Sequence, residues 1–223
     1  MKLSDNLYAY IWTGAGNNSN SYLIAGEVLT LIDPGMVLDE LGEDCLSYLL
    51  QGLEQDGFKA DDIDLIINTH THPDHCLANQ PLLQRSQAKL AYHRAEQQDM
   101  ERIFHMFMGK GPDFEADFYL TEGELELGVK NKIKLQVLHT PGHSQGSISL
   151  YWPEAKALIT GDAVFASSVG RVDLPGGSLS QLKESIESLS ELDVEYLLPG
   201  HMDLLKGRDK VQRNYRYIRQ IFF

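Results

Sequence analysis

The stretch Thr69-His70-Thr71-His72-Pro73-Asp74-His75 decides how the rest of this sequence is interpreted. It follows an apolar run that we predict to be a buried strand, and it places three histidines and one aspartate within six positions. Neutral imidazole and carboxylate are the ligand types that divalent cations such as zinc prefer. Residues two apart on an extended chain point the same way, so His70 and His72 can bind one cation together. Asp74 and His75 lie further round the loop and can reach a second cation.

Three more residues of these types each follow another predicted strand, with a glycine or a Pro-Gly pair just before them. They are His143, Asp162 and His201. Glycine lets the backbone turn sharply and approach an ion closely. Clustered polar groups without partners are costly to bury, which favours seven shared ligands over seven unrelated side chains. The other histidines are expected on the surface (His93), in a helix (His105) and in support of a ligand (His139).

Apolar periodicity predicts the order of helices and strands in a chain of 223 residues, long enough for a large core. Strands cluster first and later alternate with helices, which indicates a mixed α/β layered fold, and we expect one domain over residues 1–223. The predicted strands are Leu7–Trp12, Ser21–Ala25, Val28–Asp33, Ile63–Thr69, Leu90–Tyr92, Ile133–Leu138, Ser147–Tyr151, Ala157–Thr160 and Tyr196–Leu198. Five helices are predicted. The first has Leu41, Cys45, Leu49 and Leu53 on one face, the second is a short helix around Leu82, and the others cover Arg94–Met108, Leu182 to Leu189, and Val211 to Phe222.

Composition excludes several classes of function. Acidic residues outnumber basic ones by 32 to 19, and the net charge of −13 disfavours nucleic-acid binding. No apolar run approaches the roughly 20 residues that a membrane span needs, and the first residues lack the pattern of a secretory signal. Cys45 and Cys76 are expected to be free thiols in a reducing compartment, so we expect a cytoplasmic protein without membrane partners.

The motif 69–75 resembles the HxHxDH signature of the metallo-β-lactamase superfamily, and the run 140–143 (Thr-Pro-Gly-His) resembles the glyoxalase-II-type hydrolases. This resemblance implies an α/β fold, a four-layer αββα sandwich of two mixed β-sheets with metal ions at one edge. It also implies two groups of ligands and a bridge between them. The first ion would be bound by His70, His72 and His143, the second by Asp74, His75 and His201, and Asp162 would bridge the two.

A dinuclear site of this kind implies a hydrolase. Two divalent ions that share a water lower its pKa to near 7, so the resulting hydroxide is the nucleophile at neutral pH. We expect Asp74 to orient this hydroxide and carry its proton. The ions outweigh the charge of the nearby carboxylates, so we expect a small anionic substrate with an ester or thioester bond. Zinc is the expected metal, although iron and manganese share these donors.

The loop 169–173 (Val-Gly-Arg-Val-Asp) bears on the substrate. In glyoxalase II a cation in this loop contacts glutathione, and Arg171 matches that position, although it could instead pair with Asp173. Asp173 and Asp203 stand where that family has tyrosines, and few residues follow His201. The sequence therefore resembles the short glyoxalase-II-like hydrolases more than the full-length enzymes.

Two alternatives stay open at this point. The run 170–173 also resembles the persulfide dioxygenases, which bind one iron through two histidines and one aspartate. The Met-rich segment 100–108 fits core packing, a substrate pocket or the interface of a homodimer.

Overall fold

The computed structural model describes residues 1–223. The first half of the chain forms a seven-stranded sheet, the N-terminal sheet, whose strands lie side by side in chain order. The strands are β1 (Lys2–Ser4), β2 (Leu7–Tyr10), β3 (Ser21–Ala25), β4 (Leu29–Ile32), β5 (Leu65–Ile67), β6 (Lys89–His93) and β7 (Phe118–Leu120). Strands β1 to β4 pair antiparallel, whereas β4 to β7 pair parallel, so the sheet is mixed.

The second half forms a six-stranded sheet, the C-terminal sheet, and a separate two-stranded hairpin. The strands are β8 (Gly123–Leu127), β9 (Ile133–His139), β10 (Ile148–Trp152), β11 (Ala157–Gly161), β12 (Val164–Phe165), β13 (Ser168–Val169), β14 (Tyr196–Pro199) and β15 (Leu205–Lys206). The sheet has the order β15-β14-β11-β10-β9-β8, and β12 with β13 makes the hairpin. Only β11 and β14 pair parallel, so this sheet is mixed as well.

Six α-helices and two short 3₁₀ helices connect the strands. The α-helices are α1 (Cys45–Gln55), α2 (Pro73–Cys76), α3 (Asn79–Arg85), α4 (Gln97–Met108), α5 (Leu179–Ser190) and α6 (Arg208–Phe222). The 3₁₀ helices cover Ala60–Asp62 and Arg94–Glu96. None of the helices combines the length and apolar character needed to cross a bilayer.

Neighbouring residues within a strand face different layers of the core. On β4, Ile32 packs between the sheets and Leu31 packs under the helices; on β11, Ile159 and Leu158 divide in the same way. Helices α1, α3 and α4 cover the N-terminal sheet, and α5 and α6 cover the C-terminal sheet. Each sheet is buried on both faces, which explains its continuous apolar strands. The αββα sandwich of two mixed sheets is confirmed.

Some predicted boundaries are wrong for local reasons. Leu41 is exposed and lies outside α1, because the helix begins after Asp44, whose carboxylate accepts a hydrogen bond from the Ser47 N–H. The strand predicted over 63–69 is shorter, and its last residues form the loop that carries the histidine motif. Both cysteines are free and buried, as expected.

Candidate metal centre

The seven candidate ligands lie together at one edge of the sandwich, where both sheets contribute loops. The motif 69–75 follows β5 in the N-terminal sheet, whereas the other three residues follow β9, β11 and β14 in the C-terminal sheet. The ligand atoms form three overlapping triads, in each of which all atoms lie within 4.8 Å of one another. The triads are His70–His72–His143, His70–His75–Asp162 and Asp74–His75–His201.

The first of these triads, which we call the buried half, is sealed from solvent. His70, His72 and His143 are 0%, 5% and 2% exposed. The His72 Nδ1 and His143 Nε2 atoms lie 2.8 Å apart, and the His70 ring stands edge-on to both of these rings. The Nε2 atom of His70 is buried without any hydrogen-bond partner. A buried imidazole nitrogen that lacks a protein partner fits a metal ligand, because leaving it unpaired is costly.

The triad Asp74–His75–His201, which we call the open half, reaches the surface. The side chains of Asp74 and His201 are 18% and 19% exposed, and their Oδ2 and Nε2 atoms lie 3.3 Å apart. The His75 Nε2 atom lies 3.3 Å from the His201 Nε2 atom. An approaching molecule therefore meets this half of the centre first.

Asp162 lies between the two halves. Its Oδ1 is 3.2 Å from the His75 Nε2, and its Oδ2 is 3.4 Å from the His143 Nε2 and 3.5 Å from the His201 Nε2. One carboxylate thus faces imidazoles of both halves. This geometry suits a bridging ligand of two cations.

The buried half favours uncharged imidazoles. Burial, together with the neighbouring histidines, holds the pKa of His70 well below its ordinary value. Burial and the nearby His143 lower the pKa of His72 to about 3. Both rings are therefore neutral at physiological pH, which is the form that ligates a metal.

The open half is electrostatically different. Burial opposes charge on His75, but the neighbouring Asp162 and Asp33 raise its pKa well above the ordinary value. The pKa of His201 is raised in the same way, because Asp162 and Asp74 outweigh the effect of burial. The histidines in turn hold the pKa values of Asp74 and Asp162 below the ordinary range despite their burial. Without metal, this half is a network of ion pairs.

Asp33 supports the open half, and sequence analysis missed it as a functional residue. Its Oδ2 lies 3.0 Å from the His75 Nδ1 and accepts a hydrogen bond from the Thr69 hydroxyl at 2.6 Å, while its Oδ1 accepts the Thr69 N–H at 2.7 Å. A carboxylate on the far nitrogen fixes the ring orientation and tautomer of a metal-ligating histidine. Asp33 ends a predicted strand, which is part of the signal that identified the candidate ligands, but no glycine precedes it.

Glu96 supports the buried half, and sequence analysis missed it too. This buried carboxylate accepts hydrogen bonds from the Thr71 N–H at 2.6 Å and from its hydroxyl at 2.8 Å. It also accepts from the Ser144 hydroxyl at 2.6 Å and from the Gly146 N–H at 2.8 Å. Glu96 thereby ties the loop of His70 and His72 to the loop that follows His143.

Close backbone approach sets the position of His201. A Cβ atom at Gly200 would collide with the Asp162 carboxylate and the His75 ring, so glycine is required there. The N-terminal sheet secures this turn, because the Tyr22 hydroxyl donates to the Pro199 carbonyl oxygen at 2.6 Å. The glycine expected before His201 thus permits a close approach, here to two other candidate ligands, whereas the approach to an ion stays a prediction.

Arg171 contributes to the centre through its backbone. Its carbonyl oxygen lies 2.8 Å from the His143 Nδ1, which leaves Nε2 as the nitrogen that faces the other ligands. Its exposed guanidinium makes two hydrogen bonds of 2.7 Å with Asp173. The structure therefore places the Arg171 side chain in the pairing that was the alternative to substrate contact.

The Met-rich segment is divided between two roles. Met100, Ile103 and Phe104 are buried in the core, whereas Met106, Phe107 and Met108 are exposed at the end of α4.

Among the remaining histidines, His105 is exposed on α4, as expected. His93 is half-buried rather than at the surface, and its ring stacks on that of His139.

Comparison with known proteins agrees with a metal centre at this edge of the sandwich. The sequence model described as "Metallo-beta-lactamase superfamily" matches residues 14–201, which includes every candidate ligand. A relative from Methanocaldococcus jannaschii, named "Probable metallo-hydrolase", is 36% identical over 200 residues, covering 86% of this chain and 91% of the relative.

A second relative is the hydroxyacylglutathione hydrolase of Brucella ovis, 32% identical over 155 residues. This match covers 70% of the chain but only 51% of the Brucella enzyme. Among solved structures, a protein crystallised in a di-iron-bound form is 31% identical, with a TM-score of 0.70 and coverage of 88% of this chain and 94% of that one.

Proposed function

Because the chain belongs to the metallo-beta-lactamase superfamily, we propose that it is a dinuclear metal-dependent hydrolase that cleaves the ester or thioester bond of a small anionic molecule. The observation that carries this proposal is the convergence of two triads of ligand-type side chains on one shared carboxylate, Asp162. A relative named as a metallo-hydrolase supports the hydrolytic class.

The residues present fit two divalent cations. His70, His72 and His143 would bind the first, the open half would bind the second, and Asp162 would bridge them. Imidazole and carboxylate donors suit zinc, and we propose zinc as the metal. Iron and manganese accept the same donors, and the similar protein with a di-iron centre supports iron as the chief competitor.

When bound, two such cations would supply an activated water as nucleophile and a Lewis acid for the carbonyl oxygen of the substrate. The protein's own contribution is to hold the ligands in place and to manage the proton. We assign Asp74 the task of orienting the nucleophile and accepting its proton, because its carboxylate sits at the exposed face of the centre beside His201. The buried half excludes water on the opposite side.

A glutathione-type thioester is the substrate class that we favour. The Brucella relative is named as a hydroxyacylglutathione hydrolase, which supports this class. Arg171 could bind an anionic group if its guanidinium released Asp173, since both side chains are exposed.

The exposed apolar end of α4 (Met106, Phe107 and Met108) is a candidate surface for a homodimer.

The test combines metal analysis with an activity panel. The metal content of the purified protein is measured by mass spectrometry, and the protein is assayed with a hydroxyacyl-glutathione thioester and with glutathione persulfide. We expect about two divalent ions per chain and thioester hydrolysis without oxygen uptake. His72→Ala should reduce hydrolysis at least about 100-fold, since it removes a direct ligand rather than an outer partner. His105→Ala, which changes an exposed histidine outside the centre, should not.

Other results would contradict the proposal. One iron per chain with oxygen uptake on the persulfide would instead assign the protein to the persulfide dioxygenases. Unchanged thioester turnover in His72→Ala would show that the histidine cluster does not carry the reaction.

A further inference from the structure

A glycine-containing loop, residues 13–18, folds against the open half of the metal centre. It connects β2 to β3, and its residue Asn17 is exposed. The Asn17 side-chain amide donates a hydrogen bond of 2.7 Å to the Oδ2 atom of Asp74. The next segment holds the same aspartate through its main chain, because the Ser19 N–H donates to the Asp74 carbonyl oxygen at 3.1 Å.

Two carboxylates fix the position of this loop. Glu43 accepts hydrogen bonds from the Ala15 N–H at 2.7 Å and the Gly16 N–H at 3.3 Å. Glu40 accepts the Asn17 N–H with both of its oxygens, at 2.9 and 3.0 Å. Three successive backbone N–H groups of the loop thus donate to carboxylates in the segment before α1. The side-chain amide of Asn17 reaches Asp74 from a backbone that these hydrogen bonds hold in place.

The loop also packs too closely for side chains at its glycines. A Cβ atom at Gly14 would collide with the Trp12 ring, and one at Gly16 would collide with the Asp39 carboxylate. The Trp12 Nε1–H donates to the Gly16 carbonyl oxygen at 2.9 Å. The path of the chain at Asn17 is therefore determined by packing as well as by hydrogen bonds.

Asn17 is the one side chain outside the candidate ligands that donates to the Asp74 carboxylate. The only other polar side-chain neighbour of Oδ2 is the His201 Nε2, at 3.3 Å. If both residues held a cation, the His201 Nε2 would be a ligand and would not donate to the aspartate. The Asn17 amide then remains as the donor that holds the Asp74 carboxylate in one orientation.

We infer that Asn17 positions Asp74 for the second cation, and that it thereby raises the affinity of the centre for that cation. This inference rests on the proposed dinuclear hydrolase. Partners of this kind, bonded to a metal ligand rather than to the metal, contribute roughly 10- to 100-fold to metal affinity. No hydrogen bond of the loop reaches His70, His72 or His143, so we do not expect the first cation to depend on Asn17.

The experiment titrates the metal-free protein with Co²⁺ and follows the visible absorbance of the bound ion. Asn17→Leu keeps a side chain of similar size and removes the amide. Asn131→Leu is the matched control, because Asn131 is also exposed and donates its amide to a carboxylate, that of Glu27, at 3.2 Å in a distant turn. The melting temperature of each metal-free variant is measured alongside.

We expect wild type and Asn131→Leu to bind two cobalt ions. Asn17→Leu should bind the first with unchanged affinity and the second about 10- to 100-fold more weakly, with an unchanged melting temperature without metal. Unchanged affinity for both ions in Asn17→Leu would overturn the inference while leaving the proposed function intact. Equal weakening of both ions with a lower melting temperature would reduce Asn17 to a structural role. Binding of a single ion by wild type would refute the dinuclear centre, and this inference with it.

Discussion

The buried half and the open half use similar donors in opposite environments. The buried half consists of three imidazoles that are shielded from solvent, and two of them, His70 and His72, have lowered pKa values. The open half mixes imidazoles with a carboxylate, lies partly in solvent, and has histidines with raised pKa values. The difference teaches that burial keeps imidazoles neutral and ready to bind a cation, whereas neighbouring carboxylates hold imidazoles in ion pairs that a cation must first displace.

This contrast has a functional consequence for the order of events at the centre. A cation entering the buried half meets neutral imidazoles and displaces no protons from His70 or His72. A cation entering the open half must displace protons from His75 and His201. We therefore expect the buried half to fill first and the open half to be the exchangeable one, next to the substrate.

Asp162→Asn should give the largest effect, because it removes the carboxylate that both halves share. An amide oxygen is a weak ligand and cannot balance the charge of two cations, so both ions should bind poorly. We expect thioester hydrolysis to fall by at least about 100-fold, beyond the range of outer-partner substitutions. The check is metal content together with kcat/KM, with Asp61→Asn as the control, because Asp61 is an exposed aspartate paired with Arg85 outside the centre. Loss of only one ion would mean that Asp162 belongs to a single half.

Substitutions of Asp33 and Glu96, the carboxylates that support the open and the buried half, should affect different properties of the centre. Asp33→Asn removes the negative charge beside the His75 Nδ1 and should weaken the second cation more than the first, by about 10- to 100-fold. Glu96→Gln puts an amide donor against either the Thr71 N–H or the Gly146 N–H, which bond to different carboxylate oxygens, and should lower the free energy of unfolding by about 2 kcal/mol. Cobalt titration and urea unfolding measure the two effects. Identical behaviour of the two variants would remove the distinction between the halves.

The dependence of metal affinity on pH should differ between the halves. Protons on His75 and His201 compete with the second cation at any pH below their raised pKa values, so its affinity should rise with pH. The gain should be about tenfold per pH unit for each proton released. His70 and His72 are already neutral, so they release no protons to the first cation, whose affinity should rise less steeply with pH than that of the second. Titrations at several pH values check this, and parallel slopes for both cations would contradict it.

The sequence predicted the fold and all seven residues of the cluster because their signals are local. The motif 69–75 is contiguous, and each remaining ligand follows a strand and a glycine. The strands β1, β7, β8, β12, β13 and β15 were not predicted, since most are short and lie at edges or in hairpins with weak apolar patterns.

The supporting residues were harder to predict, for different reasons. Asp33 carried the strand-end signal of a ligand but has no histidine near it in sequence. Glu96 lies near the start of a predicted helix, where a charged residue ordinarily faces solvent, and only the folded chain shows four donors around it. Asn17 is one of many polar residues in a glycine loop, and its contact with Asp74 spans 57 positions.

The arrangement at Arg171 separates two tasks within one residue. Its carbonyl oxygen fixes the tautomer of His143, and any amino acid supplies that oxygen, whereas its side chain points outward with Asp173. The side chain at position 171 can therefore be changed without disturbing the candidate ligands. Under the proposed function, substrate preference would then change through one exposed side chain while the candidate metal centre stays constant.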